Sequence, residues 1–309
     1  MTDAADLELP RGVALAWGIA ANPQRGPKRE MSVERIVDAA VEIADAEGLG
    51  AVSMAAVAAR LGFTPMSLYR YITAKDDLIL LMQEEATGLP SEAARTAGSW
   101  RERLTAVYRE QLQRYLQHPW MLDIPISGAP TTPNSAAWMD AGLEALAGTP
   151  LSHEERLAAL LLVTGHARWA GTVIAGYLRR QNEIGVDGDA ITAKEDALYR
   201  VLITADAYPS LREAIDAGVF LDDSDPFGFG LERSLDGLEA HIAAVAAGDA
   251  PERAAWVGVD DADIEGDKKF RDARKAARDA EKALRDARKL ERQVARDARE
   301  RVARQRRSD

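Results

Sequence analysis

The sequence predicts an all-α protein, and three observations predict it. Apolar residues recur at spacings of three and four along most of the 309 residues, the period of a helix with one buried face. No segment alternates apolar and polar residues with the period of two that a half-buried strand would need. Ser, Pro and Gly stand where the periodic segments begin and end, as helix caps do.

The elements follow in order. Residues 1–27 read as a leader or arm. Ser32 to Glu47 is an amphipathic helix with Val33, Ile36, Val37, Ala40, Val41 and Ala44 on its apolar face, capped by Ser32 and ended by Gly48. Ser53 caps a second helix, whose apolar side is Ala56, Val57 and Leu61 and which Gly62 ends. A third starts near Thr64 with Pro65 in its first turn. A fourth runs from Asp76 towards Thr87 and is stopped by Gly88-Leu89-Pro90. Longer helices are predicted over 100–117, ended by His118-Pro119, then over 133–147, 152–180, 193–207 and 226–247. Segments 123–132 and 182–190 are rich in Gly, Pro and polar residues and read as loops.

Beyond residue 248 the composition changes. Residues 249–267 read as an acidic linker. Residues 267–309 hold 17 Lys/Arg and 9 Asp/Glu, a net of +8, which leaves −19 on the rest of a chain whose overall net charge is −11. Arg-Asp-Ala recurs at 271, 278, 285 and 296, and steps of seven and eleven keep one helical face in register. Ala-rich composition with Asp279 ahead of Lys282 and Glu281 ahead of Arg285 favours a helix. Its seam is mostly Ala and buries little area. Three readings stay open: a solvated single helix, a helix packed on the body or a partner, and a basic arm for nucleic acid.

Composition removes several functions. With no Cys there are no disulfides, thiolate metal sites or Cys nucleophiles, and 4 scattered His give no metal-ligand spacing. No uninterrupted apolar run approaches the ~18 residues of a membrane span, and the acidic N-terminus lacks the basic start of a signal peptide. A soluble, cytoplasmic chain without membrane contact is expected. No nucleophile–base set, Gly-rich phosphate loop or metal motif suggests an enzyme or a cofactor.

The stretch Val52 to Ile79 carries the functional signal. Two short helices joined by Leu61-Gly62-Phe63 fit a helix-turn-helix, whose second helix enters the major groove of DNA. Thr64 and Ser67 can donate to phosphates or bases, and the hydroxyls of Tyr69 and Tyr71 can reach backbone oxygens. Arg70 can fork onto a guanine or a phosphate, and Lys75 at the next helix start can meet a phosphate. Leu68 and Ile72 are expected in the core. The basic run Arg25 to Arg29, with Lys28, reads either as a linker or as an arm. Residues 28–80 hold 6 Lys/Arg and 8 Asp/Glu, so phosphate contacts should be few and local.

Over residues 32–82 the sequence, including Ser67-Leu68-Tyr69-Arg70-Tyr71 and Lys75-Asp76-Asp77-Leu78, resembles the DNA-binding domain of the TetR (tetracycline repressor) family. Residues 9–30 resemble the leader of actinobacterial members, and 225–242 resemble the last dimerisation helix of the tetracycline-repressor-type C-terminal domain. The resemblance implies an all-α, Ω-shaped homodimer. Residues 28–80 would bind a palindromic double-stranded operator, and 81–248 would dimerise and hold a small molecule. It further implies DNA contacts from Ser53, Met54, Pro65 and Met66 beside those named above. It does not extend to the tail, 249–309.

For the ligand, bulky side chains with an N–H to satisfy suggest Trp120, Trp138, His166 and Trp169 as cavity lining. The expected function is a ligand-responsive repressor. The alternative is an interaction protein whose charged tail is the working part.

Overall fold

The computed structural model describes residues 9–20, 31–96, 98–126, 128, 131–249, 264 and 266–308. Among them are thirteen α-helices and no strand. The chain divides into two units, Met1–Pro251 and Glu252–Asp309, each described by itself.

The first unit opens with α1 (Arg11–Ala16), inside the stretch read as a leader. Gly12 N–H donates to Asp77 Oδ1 at 2.8 Å. A Cβ at Gly12 would also sit 2.8 Å from that oxygen, so this close approach needs Gly. Helices α2 (Val33–Glu47) and α3 (Met54–Leu61) are capped as expected, Ser32 accepting from Arg35 N–H and Ser53 from Ala56 N–H. Gly62 takes the left-handed conformation, φ 77°, that ends α3. Helix α4 (Pro65–Leu68) is one turn long, shorter than the sequence suggests, and Tyr69 to Tyr71 continue it as a turn. Helix α5 (Lys75–Thr87) ends at Gly88, φ 56°. Ile36, Val57, Leu68, Ile72, Leu78 and Met82 form the fully buried centre of this head.

The larger part holds α6 (Glu92–Arg95), α7 (Trp100–Gln117), α8 (Pro133–Ala145), α9 (His153–Ile184), α10 (Gly188–Leu202), α11 (Pro209–Asp216) and α12 (Pro226–Ala247). Capping boxes, Ser99 with Glu102 and Ser152 with Glu155, open α7 and α9. The loop expected over 182–190 shrinks to 185–187, because the polar end of α9 stays helical and α10 starts at Gly188. Helices α1, α6 and α11, of 6, 4 and 8 residues, have no counterpart in the sequence reading. They are too short to display a helical period. Leu104, Val107, Trp138, Leu160, Leu231 and Leu235 are buried together between α7, α8, α9 and α12. Arg101 on α7 ties down α12 by donating to Glu232 and Asp236, each at 2.6 Å.

By length and composition α9 is apolar enough to cross a membrane. Here it is the central core helix, with Ala159, Val163, Ala167 and Ala170 buried. The second unit contains α13 (Lys268–Ser308), one continuous helix of 41 residues. All residues from 271 to 290 are exposed on it.

Candidate functional site

The outward surface around α4 is built by burying one side of a very short helix. Leu68 and Ile72 are fully buried, while Leu61 and Phe63 pack against the same core. That fixes the other side outward. Thr64, Pro65, Met66, Tyr69 and Arg70 are exposed, with Tyr69 at 43%. Lys75 is exposed at the first position of α5. Neither Arg70 nor Lys75 has an ion-pair partner among the described residues. Tyr71 is half-buried against the head core, so only part of it faces out. Ser67 already donates to Thr64 O at 2.6 Å and keeps its lone pairs for a donor. Ser53 is used as the α3 cap. Met54, expected at the DNA, is instead 7% exposed and packs into the head core, as burial of an apolar side chain favours. Lys28 lies outside the described residues.

A cavity of about 710 Å³ lies behind the head. Leu80, Gln83 and Thr87 of α5 form one wall, and Gln111, Arg114 and Tyr115 of α7 another. Ser135, Trp138 and Met139 come from α8, and Leu160, Thr164 and Arg168 from α9. Met121 and Ile124 close the side near the turn at Pro119–Asp123. Apolar walls with a few directed polar groups are the usual composition of a small-molecule site. The Arg168 guanidinium is occupied: it donates to Leu122 O at 3.1 Å and Ile124 O at 2.7 Å, and lies 5.9 Å from the Tyr115 ring centroid. Arg114 has no ion-pair partner among the described residues. Its guanidinium lies against Gly88, where a Cβ would stand 3.0 Å from it.

Of the four residues expected to line this cavity, one does. Trp138, 4% exposed, lines it and donates its indole N–H to Gly88 O at 2.9 Å. Trp120 is 2% exposed but belongs to the head core, where its N–H donates to Asp45 Oδ1 at 2.7 Å. His166 is half-buried against α12, stacked on Tyr108 at 5.5 Å with Nε2 2.8 Å from Phe227 O. Trp169 is 60% exposed on the outer face of α9. Three residues along a helix is about 60° of rotation, and the edge of the packed face of α9 falls between half-buried His166 and exposed Trp169. The sequence reading missed Leu80, Gln83, Thr87, Gln111, Arg114 and Arg168. Their only signal is polar residues placed beside apolar ones on otherwise ordinary amphipathic helices. No group of three or more His, Asp or Glu is placed for a metal among the described residues.

Among the described residues the ties between the head and the larger part include two hydrogen bonds from Asn134 of α8 to Glu84 of α5, backbone N–H to Oε1 at 2.8 Å and side-chain amide to Glu84 O at 2.9 Å. Trp138 holds the end of α5. Asp45 on α2 accepts from Trp120 and lies 2.8 Å from His118 Nδ1. Trp17, just after α1, donates to Thr131 O at 2.7 Å, on the cavity's loop.

Residues 36–82 match the family described as bacterial regulatory proteins, tetR family. Residues 92–242 match the tetracyclin repressor-like C-terminal domain. The chain is 36% identical over 239 residues to the HTH-type transcriptional repressor DrrR1 of Streptomyces coeruleorubidus, spanning 76% of this chain and 87% of that protein. It is 28% identical over 248 residues to an HTH-type transcriptional regulator of Saccharopolyspora erythraea, spanning 80% and 99%. The crystal structure of the Streptomyces coelicolor TetR family protein ActR in complex with actinorhodin superposes with a TM-score of 0.58 at 25% identity, over 68% of this chain and 96% of that one. A short outward-facing turn on a helical head, a cavity between α5, α7, α8 and α9 and a sequence shared with DrrR1 lead to one conclusion: this chain belongs to the TetR family of bacterial regulatory proteins.

Proposed function

We propose that this chain is a transcriptional repressor that binds a palindromic operator as a homodimer and lets go when a small molecule fills the cavity. One observation carries this reading. Helix α5 starts at Lys75 beside the reading turn, lines the cavity with Leu80, Gln83 and Thr87, and ends at Gly88 in the grip of Trp138. A ligand that moves Trp138 or Arg114 therefore acts on the covalent lever that positions the DNA contacts.

Thr64, Pro65, Met66, Ser67, Tyr69, Arg70 and Lys75 are the residues we assign to DNA, with Arg70 as the base reader. Release needs differential binding to the two states. A 100-fold fall in operator affinity requires about 2.7 kcal/mol, which an apolar ligand can supply by burying area against Leu80, Met121, Trp138 and Leu160. A lipophilic, aromatic compound with an acidic group fits best, since Arg114 lies at the wall. ActR is a relative crystallised with actinorhodin.

Dimerisation uses the outward faces of α9 and α12. Leu162, Trp169 and Gly176 share one exposed face of α9, and nothing crowds Gly176 there. Phe229 is exposed on α12 at 64%. Leu231 and Leu235 of the same helix are buried within the protomer, and Phe227 and Leu238 pack partly against the same core. Trp169 thus moves from the ligand to the interface.

The test is a mobility shift on a palindrome from the protein's own promoter, titrated with actinorhodin while Trp fluorescence is read. Quenching and loss of operator binding should saturate together, and Arg70→Ala should cost about 1–3 kcal/mol of operator affinity. Quenching that saturates with operator affinity unchanged would refute the coupling.

A further inference from the structure

Helix α13 has three chemically distinct faces. Arg271, Lys275, Arg278, Lys282, Arg285 and Lys289 recur at alternating steps of four and three and are all exposed. At about 100° per residue they fall on a face about 80° wide and about 27 Å long. Asp272, Asp279 and Asp286 line up along one edge of that face, so they do not interrupt it. The opposite face is mainly Ala with Leu284 and Lys269, and Phe270 lies with Arg274, Glu281 and Arg288 along the edge away from the aspartates. The same spacing continues in the sequence at 292, 296 and 299.

We propose that α13 is a sequence-independent DNA arm, whose cationic face lies along the phosphate backbone of the duplex flanking the site that the head reads. This rests on the reading of the head as DNA-binding. Charge complementarity selects the occupant. Protein binding to duplex DNA draws on counterion release by Lys and Arg, yet residues 28–80 carry 8 acidic against 6 basic residues. Everything outside 267–309 sums to −19, whereas 267–309 sums to +8. The tail thus holds the charge that the rest of a DNA-binding chain lacks. Once the head is seated, the tethered helix meets flanking DNA at high effective concentration. An anionic membrane suits it less, because an interfacial helix buries Trp, Phe and Leu, and the face opposite the cations is mainly Ala.

The test uses the full chain and a variant with the six cations changed to Gln, a residue that keeps helix propensity. Binding to a duplex of about 60 base pairs, with and without the operator, is measured across about 50–300 mM salt. The wild-type log–log slope should be steeper by about 3 or more, with affinity at low salt at least about tenfold higher, and the preferred operator unchanged. On a duplex trimmed to the operator the two should differ by less than about twofold. A second variant, with Asp272, Asp279 and Asp286 changed to Asn, should steepen the slope. Arg70→Ala should lose operator preference while keeping the steep slope, so the head and arm readings fail separately. Equal slopes for wild type and the Gln variant overturn the proposal. So does capture by phosphatidylglycerol vesicles with an unchanged DNA slope.

Discussion

Trp120 and Trp138 are both buried, and both donate an indole N–H across the join between head and core. Their partners differ. Trp120 binds a carboxylate on α2 and sits outside the cavity, in the head's own core. Trp138 binds a backbone carbonyl at the end of α5 and forms cavity wall. A ligand can therefore touch the second and not the first. Under the proposed mechanism Trp120 and Asp45 act as a pivot that stays closed, while Trp138 and Gly88 are the point where the lever is pulled.

Truncating either indole is the harshest way to break this comparison. Trp120→Ala should cost about 3–5 kcal/mol of folding stability, read by denaturant unfolding, because it empties a fully packed site. The conservative variants sharpen it. Trp120→Phe removes one charge-assisted hydrogen bond, about 1.5 kcal/mol, the low end because the Asp45 side chain keeps 34% exposure. It should leave ligand affinity unchanged. Trp138→Phe should cost only about 1 kcal/mol of stability but should shift ligand affinity and ligand-induced operator release together. Equal effects of the two Phe variants on ligand affinity would remove the distinction between pivot and lever.

Gly88→Ala probes the lever without touching an aromatic ring. Gly88 has φ 56° and ψ −177°, a region open essentially only to Gly, so Ala should cost about 1–3 kcal/mol. The added Cβ would also press on Arg114. Weaker ligand response at unchanged dimer mass is the expected readout.

The smallest effect is electrostatic. Asp236 is held below its usual pKa, first by the Arg101 hydrogen bond and further by Arg233. A lowered folded-state value stabilises the fold above the ordinary carboxylate range, and that contribution disappears as pH falls through the lowered value. Both partners are partly exposed, so the loss should be small. Thermal melts at descending acid pH should show it in wild type and not in Asp236→Asn. Removal of the chain after Gly248 should leave dimer mass and operator preference intact, since the residues assigned to both lie before it. The arm proposed above would surface as a shallower salt dependence and weaker low-salt binding on duplexes longer than the operator.

Most helices were legible because each carries its own punctuation. Ser32, Ser53, Ser99 and Ser152 cap where they stand, and Gly48, Gly62 and Gly248 stop helices with positive φ. The outward face of α4 was legible too, because a helix as short as Pro65–Leu68 buries only Leu68 and presents its remaining residues. The cavity was not. Bulk and an N–H mark a side chain that must be satisfied, and Trp120, Trp138 and His166 each satisfy that need in a different place. Local sequence thus determined where helices begin and end and which face each one buries. Only tertiary structure decided which buried faces meet each other and which enclose space, because a cavity is a property of five chain segments at once and no one of them encodes it.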